Sequence, residues 1–440
     1  MSDTPAPDPT APAASEPASA PAPPTPEQAA VLLGRVQDEV RKVIVGQDRA
    51  LERLLVCLLS RGHALLEGVP GLAKTLAAET LSRTVGGTFS RIQFTPDLLP
   101  ADVMGTRIFR ASREEFDIEL GPVFVNFLLA DEINRAPAKV QSALLEVMAE
   151  RQVSIGGETF PVPDPFLVLA TQNPIESEGV YPLPEAQRDR FLMKIVVDYP
   201  TAGEEVDIVY RMGVSAPEAH EVLSLDELKS LQAAADSVRL DRPVADYLVT
   251  VVMATRYPSN YALSDIDPLL TIGGSPRASL GLARAGRALA LMRGRDHVTP
   301  QDVFDVAPDV LRHRMVLSYE ALAQGVTPDQ VLARVLSTVP APRPAEPSAY
   351  REQAAPRPGS YGSDPRANPG PAAPPPGYGP TAGAPGTPGY PGAPGFPTGA
   401  GPDGPPVDGR APALGGPGLP SRPTDSSPWA QPTDDDQRSA

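Results

Sequence analysis

The stretch His63-Ala-Leu-Leu-Glu-Gly-Val-Pro-Gly-Leu-Ala-Lys-Thr75 joins an apolar run to a glycine-rich turn. Its last eight residues, Gly68–Thr75, differ at one position from the phosphate-binding pattern Gly-x4-Gly-Lys-Ser/Thr. In that pattern a buried strand precedes the loop and a helix follows it, so we expect a strand at His63–Leu66 and a helix at about Thr75–Val85. The backbone N–H groups of such a loop and the positive end of the helix together attract phosphate.

Each residue of the loop has an expected part in holding a nucleotide. Lys74 is predicted to reach the β- and γ-phosphates and Thr75 to hold Mg²⁺. The departure from the pattern is Ala73, whose methyl group is tolerable if the residue keeps a negative φ. A chance turn of Gly and Pro residues before a helix is the alternative interpretation. The predicted nucleotide-contacting residues are Gly68, Val69, Pro70, Gly71, Leu72, Ala73, Lys74 and Thr75.

Two neighbouring acids follow a second apolar run. Residues Val123–Ala130 are predicted to form a buried strand, and Asp131 and Glu132 come directly after it. Asp131 is expected to bind Mg²⁺ through water, and Glu132 to polarise the water that attacks the γ-phosphate. An acid pair that caps the next helix is the alternative. The order along the chain, with the phosphate loop first and the acid pair second, favours the hydrolytic interpretation.

A third apolar run, Phe166–Thr171, is followed by Gln172-Asn173-Pro174. In open parallel sheets, ligands bind outside the carboxyl ends of the strands. Asn173 could therefore orient the water or contact the γ-phosphate. A turn-forming Asn before Pro is an equally good interpretation of this residue.

Three arginines outside these strands are candidates for contacts with transition-state charge. Arg188 and Arg190 precede the predicted strand Met193–Val197, and an arginine there can stabilise charge on a γ-phosphate held by a neighbouring subunit. Arg277 lies in the first turn of a helix capped by Ser275, where a positive side chain opposes the helix dipole. That position suggests an anionic partner such as a nucleotide. A solvated helix end and an ordinary surface arginine are the alternatives.

Composition divides the chain into an ordered middle and two unusual ends. Met1–Pro26 holds nine of the 56 prolines and Pro340–Ala440 holds 27, and both have few aliphatic residues. Such segments cannot bury enough apolar surface to fold, so segments 1–26 and 340–440 are predicted to be disordered.

The ordered middle is predicted to contain two domains. Alternating strands and helices at 27–203 predict an α/β core with a parallel sheet covered on both faces. Insertions interrupt this core at about 95–122 and 151–164, the second with the pattern of a hairpin. A helical pattern at 204–339 predicts a small all-helical domain.

Charge and cysteine content bound the function and the compartment. The net charge of −16 over 440 residues argues against a broad surface for DNA or RNA. Cys57 is the only cysteine, so no disulfide can form within the chain, which fits a reducing compartment. The start of the sequence lacks the pattern of a signal peptide, and no apolar stretch is long enough to span a membrane. We therefore predict a cytoplasmic protein.

Together these segments resemble the MoxR family of AAA+ ATPases over about residues 30–338. The segment Phe94–Pro100 also resembles the start of the insertion that defines the helix-2 clade. The motifs follow one another in the order of the family, and they are Gly68–Thr75, Leu129–Glu132, Thr171–Pro174, Leu183–Phe191 and Ser275–Ala278.

The resemblance implies roles for individual residues in ATP hydrolysis with Mg²⁺. Lys74 and Thr75 correspond to the Walker A motif, and Asp131 and Glu132 to Walker B. Asn173 corresponds to sensor 1, and Arg277 to sensor 2 on a small helical lid.

Arg190 best matches the arginine finger of the family. Arg188 stands where the family often has a non-basic residue, so either arginine is a candidate for that role.

The resemblance also implies a homo-hexameric ring with active sites shared between subunits. Family members act like chaperones that mature or activate complexes, often with a partner that contains a von Willebrand factor A domain. The leading hypothesis is an ATP-driven remodelling motor whose insertions grip a protein client. A nucleotide-gated assembly scaffold with slow turnover is the alternative. A DNA motor is disfavoured by the acidic charge, and a metal-chelatase subunit by the lack of an acidic linker and an integrin-like domain in this sequence.

The tail after 339 is not part of the family pattern. It is either an inert solubilising segment or a docking segment for a partner. Its spaced aromatic residues are Tyr361, Tyr378, Tyr390, Phe396 and Trp429.

Overall fold

The computed structural model describes residues 23–174, 179–213 and 217–342. Its helices are α1 (Pro26–Val43), α2 (Asp48–Leu59), α3 (Lys74–Thr84), α4 (Pro100–Met104), α5 (Ala138–Glu150), α6 (Glu185–Arg188), α7 (Ala202–Met212), α8 (Leu225–Ser237), α9 (Arg242–Arg256), α10 (Pro276–Met292), α11 (Pro300–Leu311), α12 (Tyr319–Ala323) and α13 (Pro328–Thr338). Its strands are β1 (Ala64–Glu67), β2 (Phe89–Gln93), β3 (Gly105–Arg110), β4 (Glu115–Leu120), β5 (Phe127–Asp131), β6 (Gln152–Ile155), β7 (Glu158–Pro161), β8 (Leu167–Gln172), β9 (Met193–Val196), β10 (Leu270–Ile272) and β11 (Val316–Leu317).

The two segments predicted to be disordered lie almost wholly outside the described residues. Only 23–26 and 340–342 of them are described, and the aromatic residues of the tail are not. Among the described helices, none is both long and apolar enough to cross a membrane.

A five-stranded parallel sheet forms the centre of the core, in the order β2-β5-β8-β1-β9. Strands β5 and β8 are buried along almost their whole length, as expected when helices cover both faces of a sheet. The registers place Gln93 opposite Asp131 and Glu67 opposite Gln172. These four residues end their strands, so they share one edge of the sheet. The predicted α/β fold with a parallel sheet is confirmed.

Strand β5 begins at Phe127, four residues after the start of the predicted strand Val123–Ala130. The prediction was wrong there because Asn126 fixes a turn before the strand. Its side-chain oxygen accepts a 3.1 Å hydrogen bond from the backbone N–H of Thr88, and its amide group donates to the carbonyl of Pro165 at 2.8 Å. The apolar residue Val123 is buried outside the sheet.

Both predicted insertions contain hairpins. The segment 95–122, expected only to be polar, forms α4 and the antiparallel pair β3–β4. The segment 151–164 forms the antiparallel pair β6–β7, as predicted. Phe109 and Phe116 face each other across β3–β4 with ring centroids 5.2 Å apart, and both are more than half exposed.

The remainder of the described chain is helical, with one addition to the prediction. Helices α7–α13 follow the sheet, and α10 packs against α8, α9 and α11. A short antiparallel ribbon joins β10 to β11, pairing Leu270 with Leu317. The ribbon has only two or three residues per strand, too few for a recognisable alternation of apolar and polar residues.

Buried ion pairs hold the helical part against the sheet. Asp309 of α11 accepts hydrogen bonds from Arg53 of α2 at 2.8 Å and from Arg312 at 2.6 Å, and all three side chains are almost fully buried. Arg312 also donates to the carbonyl of Lys194 in β9 at 2.8 Å. Removing one member would leave an uncompensated buried charge, so these contacts fix α11 beside β9.

Candidate active site

The predicted phosphate loop connects β1 to α3 at the carboxyl edge of the sheet. Gly68 packs so closely that a Cβ atom there would lie 2.7 Å from the carbonyl oxygen of Val197. Gly71 has φ of +87°, a conformation that favours glycine. The two glycines therefore have different structural roles. Gly68 allows close packing, and Gly71 allows a left-handed turn.

Ala73 also adopts a left-handed conformation, with φ of +55° and ψ of +23°. The condition of a negative φ, under which an alanine was tolerable here, is therefore not met. The backbone keeps the conformation in which the phosphate-binding pattern has glycine, and the alanine methyl group is accommodated because Ala73 is exposed. A non-glycine residue in this region costs roughly 1–2 kcal/mol.

Lys74 begins α3, and its amino group donates a 2.5 Å hydrogen bond to the carbonyl of Gly68. Partial burial lowers the pKa of Lys74, while the carboxylates of Asp131, Glu132 and Glu67 act in the opposite direction. The Lys74 ammonium group thus lies within the field of both predicted acids. Thr75 follows it in the first turn of the helix and is partly buried.

Asp131 is held at the end of β5 by two neighbours. The hydroxyl of Thr171 on β8 donates to its Oδ1 at 2.6 Å, and the guanidinium of Arg91 on β2 donates to its Oδ2 at 2.7 Å. The Thr171 hydroxyl also accepts a 2.8 Å hydrogen bond from the backbone N–H of Glu132. The sequence alone assigns no role to the hydroxyl of Thr171 or to Arg91, because both contacts depend on the order of the strands.

Glu132 adopts a left-handed conformation directly after β5, with φ of +56°. Its carboxylate accepts a 2.8 Å hydrogen bond from Gln93, the last residue of β2. The same oxygen, Oε2, lies 3.0 Å from Nε of Arg135. The side chain predicted to polarise water is therefore fixed by one amide and one guanidinium group.

Asn173 follows β8 directly and is 6% exposed. It lies at the same edge of the sheet as the loop and the acid pair, since β8 pairs with both β1 and β5. The structure thus brings together four of the predicted elements, which are the loop, Asp131, Glu132 and Asn173.

The donor set at this edge fits Mg²⁺. Thr75 supplies a hydroxyl and Asp131 a carboxylate, and Mg²⁺ is usually held by one or two protein oxygens together with water and phosphate. Within the described part of the chain, no cluster of three or more His, Cys, Asp and Glu side chains could hold a metal on its own.

Arg190 and Arg277 lie in a different place, a cleft of about 360 Å³ that we call the arginine cleft. No residue of the phosphate loop lines it among those described. Arg190 donates a 2.8 Å hydrogen bond to the carbonyl of Leu145, and Arg277 lies 3.9 Å from the carboxylate of Asp189. The residues that line the arginine cleft include Arg61, Arg151, Arg190, Arg277, Arg284 and Arg314.

The geometry of α10 agrees with its predicted start. Ser275 caps the helix by accepting from the backbone N–H of Arg277, and its hydroxyl donates to Asp189 at 2.9 Å. Arg188 lies on α6, 3.7 Å from Glu185, and does not line the cleft. Of the two finger candidates, Arg190 lines the arginine cleft together with Arg277.

A larger cavity of about 660 Å³ lies beside the phosphate loop, and sequence reasoning missed it. Gln47 lines it and donates a 3.0 Å hydrogen bond to the carbonyl of Asp198. Val196 and Asp198 also line it, and Val197 between them packs against Gly68.

The sequence signal that could have indicated this cavity was the break between α1 and α2 at Gly46-Gln47, where Gly46 has φ of +74°. Phe304, Pro308 and Leu336 from the helical part complete its wall.

Two family profiles match the chain in this region. The profile described as the ATPase family associated with various cellular activities (AAA) matches residues 63–193. The profile described as an AAA lid domain matches residues 263–335. The first match spans the phosphate loop, the acid pair, Asn173 and Arg190, and the second spans Arg277.

The chain is similar to MoxR proteins over most of the described residues. It is 64% identical to "Chaperone MoxR1" of Mycobacterium tuberculosis over 311 residues, which is 71% of this chain and 82% of that protein. It is 33% identical to "Protein MoxR" of Methylorubrum extorquens over 70% of this chain and 94% of that protein. A crystal structure of a candidate ATPase from Cytophaga hutchinsonii is 45% identical, with a TM-score of 0.68 over 72% of this chain and 96% of that one.

Proposed function

Because the chain belongs to the MoxR family of AAA+ ATPases, we propose that it hydrolyses ATP and uses the cycle to remodel, mature or activate a protein complex. The observation that carries the proposal is the meeting of Lys74, Asp131, Glu132 and Asn173 at one edge of the parallel sheet. This is the edge at which α/β proteins bind nucleotides.

Hydrolysis requires a base, a positive charge near the γ-phosphate and fixed geometry. Glu132 is the base, since it directly follows β5 at this edge of the sheet, next to Asp131. Lys74 supplies positive charge after exchanging the carbonyl of Gly68 for a phosphate oxygen. Asn173 orients water or the γ-phosphate. Thr75 and Asp131 hold Mg²⁺, which neutralises phosphate charge when bound.

The adenine base lies in the cavity beside the loop. That cavity adjoins Gly68 through Val197, and its volume of about 660 Å³ exceeds the need of a purine and a ribose. Apolar residues and the polar groups of Gln47 and Asp198 line it, a mixture that is typical of ligand cavities.

The active site is completed by a neighbouring copy in a ring, which we take to be a homo-hexamer. Arg190 and Arg277 line the arginine cleft and not the loop of their own chain. In the ring, both side chains therefore contact the nucleotide of a neighbouring subunit, Arg190 as the arginine finger and Arg277 as sensor 2. An arginine supplied from another subunit stabilises the charge of the transition state.

The client is a protein, and a partner with a von Willebrand factor A domain is the leading candidate. The hairpin β3–β4 presents Phe109 and Phe116, and exposed aromatic residues are frequent in protein interfaces. The acidic chain disfavours a nucleic acid. We place this activity in the cytoplasm.

One observation favours a nucleotide-gated scaffold with slow turnover as the second candidate. Glu132 is engaged by both Gln93 and Arg135. A carboxylate held by two donors must leave them before it can contact the attacking water, which would slow turnover. In this alternative, binding of ATP controls assembly and hydrolysis only resets it.

The test compares ATP turnover of the wild type with that of Glu132→Gln in the presence of Mg²⁺. We expect the variant to bind ATP but to lose at least about 100-fold in kcat. Glu146→Gln is the matched control, since Glu146 is exposed on α5, and it should keep wild-type kcat. Equal rates in the wild type and Glu132→Gln would exclude hydrolysis at this site. Slow wild-type turnover with ATP-dependent assembly would favour the scaffold.

A further inference from the structure

The arginine cleft contains more positive charge than Arg190 and Arg277 explain. Asp189 is the one carboxylate among the described residues that line it. The buried side chain of Arg314 forms an ion pair with Asp189 at 2.8 Å, and Arg61 forms one with Asp236 at 2.5 Å. Within the described ranges, no ion pair involves Arg151, Arg190 or Arg284.

Arg284 lies on the same side of α10 as Arg277. The two residues are seven apart, which is two helical turns, and Leu280 and Gly281 between them also line the cleft. Gly281 lies against Leu192 and Arg314, so this stripe of α10 rests on the core. Arg277 and Arg284 therefore project into one cleft from a single rigid helix.

Arg284 also borders a second cavity, whose charges are balanced. There Arg61 and Arg151 accompany Asp164 and Asp236. Asp236 is already paired with Arg61, and the charge of Asp164 acts on Arg151. Among the described residues, no ion pair joins Arg284 to either carboxylate of the second cavity.

Arg190 and Arg284 have no carboxylate partner among the described residues, and their meeting in one cleft of a chain with net charge −16 favours an anionic ligand there. Guanidinium groups bind phosphate through two parallel hydrogen bonds, which matches a triphosphate better than a single carboxylate. We propose that Arg284 is a third phosphate-contacting residue of the shared site, so that the arginine cleft holds the phosphates of a nucleotide carried by a neighbouring copy. This inference rests on the shared site described under the proposed function.

The experiment measures ATP-dependent self-association, a readout that does not need hydrolysis. Sedimentation velocity of Glu132→Gln protein with ATP and Mg²⁺ gives the concentration for half-assembly. Adding Arg284→Ala should raise that concentration at least about 10-fold, since one phosphate contact is lost. Arg284→Lys should restore part of it. Arg242→Ala is the matched control, because Arg242 is 86% exposed on α9 and outside the cleft.

Two further measurements separate a phosphate contact from a structural role. Binding of a fluorescent ATP analogue to monomeric protein should be unchanged by Arg284→Ala, since each copy's own loop is intact. The melting temperature should also be unchanged. Assembly that is unaffected by Arg284→Ala would overturn the proposal, and so would an equal loss of assembly with ATP and without nucleotide.

A final experiment tests whether the arginine cleft binds the phosphates of a nucleotide or free inorganic phosphate. Inorganic phosphate is titrated into Lys74→Ala protein, with and without Arg284→Ala, while the melting temperature is recorded. We expect no Arg284-dependent stabilisation at millimolar phosphate. Two results together would show that the assignment to the neighbour's nucleotide is wrong and that the cleft binds free phosphate. Phosphate would stabilise only the protein that retains Arg284, and ATP-dependent assembly would not need Arg284. Failure of ATP hydrolysis alone would refute the motor and leave the assembly result intact.

Discussion

The Thr171 hydroxyl donates to the Asp131 carboxylate over 2.6 Å and at the same time accepts from the backbone N–H that follows Asp131. One side chain on β8 therefore positions both the side chain of Asp131 and the backbone of Glu132. Thr171 itself is 1% exposed, so water cannot replace either hydrogen bond.

Replacing Thr171 by valine should disturb both acids without changing the shape of the side chain. The backbone N–H of Glu132 would be left without its acceptor, a loss of about 1–3 kcal/mol in the free energy of unfolding. We expect kcat to fall at least about 10-fold because the geometry at Asp131 and Glu132 is relaxed. Urea unfolding and ATP turnover measure the two effects. Thr171→Ser keeps the hydroxyl and should stay within about 2-fold of the wild type, and a Thr171→Val protein with unchanged kcat would contradict the role.

Gln93→Ala removes the amide that holds the carboxylate of Glu132. The carboxylate should then reach the attacking water more often, so that basal kcat rises by about 2- to 5-fold while nucleotide affinity is unchanged. Steady-state ATP turnover without a client measures this. Gln301→Ala is the control, since Gln301 also donates to a carboxylate, that of Asp305, on the exposed side of α11. A fall in kcat would show that Gln93 instead positions Glu132 for hydrolysis.

The left-handed backbone at Ala73 predicts an unusual sign for an alanine-to-glycine change. Ala73→Gly should raise the free energy of unfolding by up to about 1 kcal/mol, because glycine adopts this φ without steric cost. The same change at Ala77, inside α3, should lower it by about 0.5–1 kcal/mol. Urea unfolding of both variants tests the prediction, which is refuted if both are destabilised alike.

His63 should make the fold sensitive to acid. Burial lowers its pKa from 6.5 to about 3, and the ring is held neutral between the N–H of Val168, at 3.0 Å from Nδ1, and the carbonyl of Met148. Below pH 6.5 the unfolded chain binds a proton that the folded chain does not, so stability falls with pH by about 1.4 kcal/mol per unit down to about pH 3. Burial also lowers the pKa of His313, so the wild-type slope approaches two protons.

The measurement is urea unfolding at several pH values between 7 and 5. His63→Gln should be less stable at pH 7, and its slope should be smaller by about one proton. A slope that is the same in the wild type and in His63→Gln would show that His63 does not bind the proton in question.

Local patterns predicted the elements that carry the loop. Strand β1 and helix α3 lie within one residue of their predicted starts. A short apolar run and a helix on either side of a glycine-rich turn are short-range signals, so one sequence suffices to detect them.

The contacts of Thr171, Gln93 and Arg91 with the acid pair could not be predicted, because they depend on which strands are neighbours. Their partners lie 39 or 40 positions away along the chain, and the order β2-β5-β8 brings them together. The cavity beside the loop has the same cause, since residues from Gly46 to Ser337 line it. The left-handed conformation of Ala73 was not predicted for a different reason, because a non-glycine residue rarely adopts a positive φ.

The hairpin β3–β4 is inserted between β2 and β5, two neighbouring strands that both end at the acid pair. It leaves the sheet after Gln93, the residue that holds Glu132, and it re-enters through β5, which ends at Asp131. Phe94, between Gln93 and the hairpin, is fully buried and donates to the carbonyl of Asp131 at 2.9 Å. The hairpin is therefore connected to Gln93 through the segment 94–104 and to Asp131 through the segment 121–130, so the chain on both of its sides leads to the acid pair.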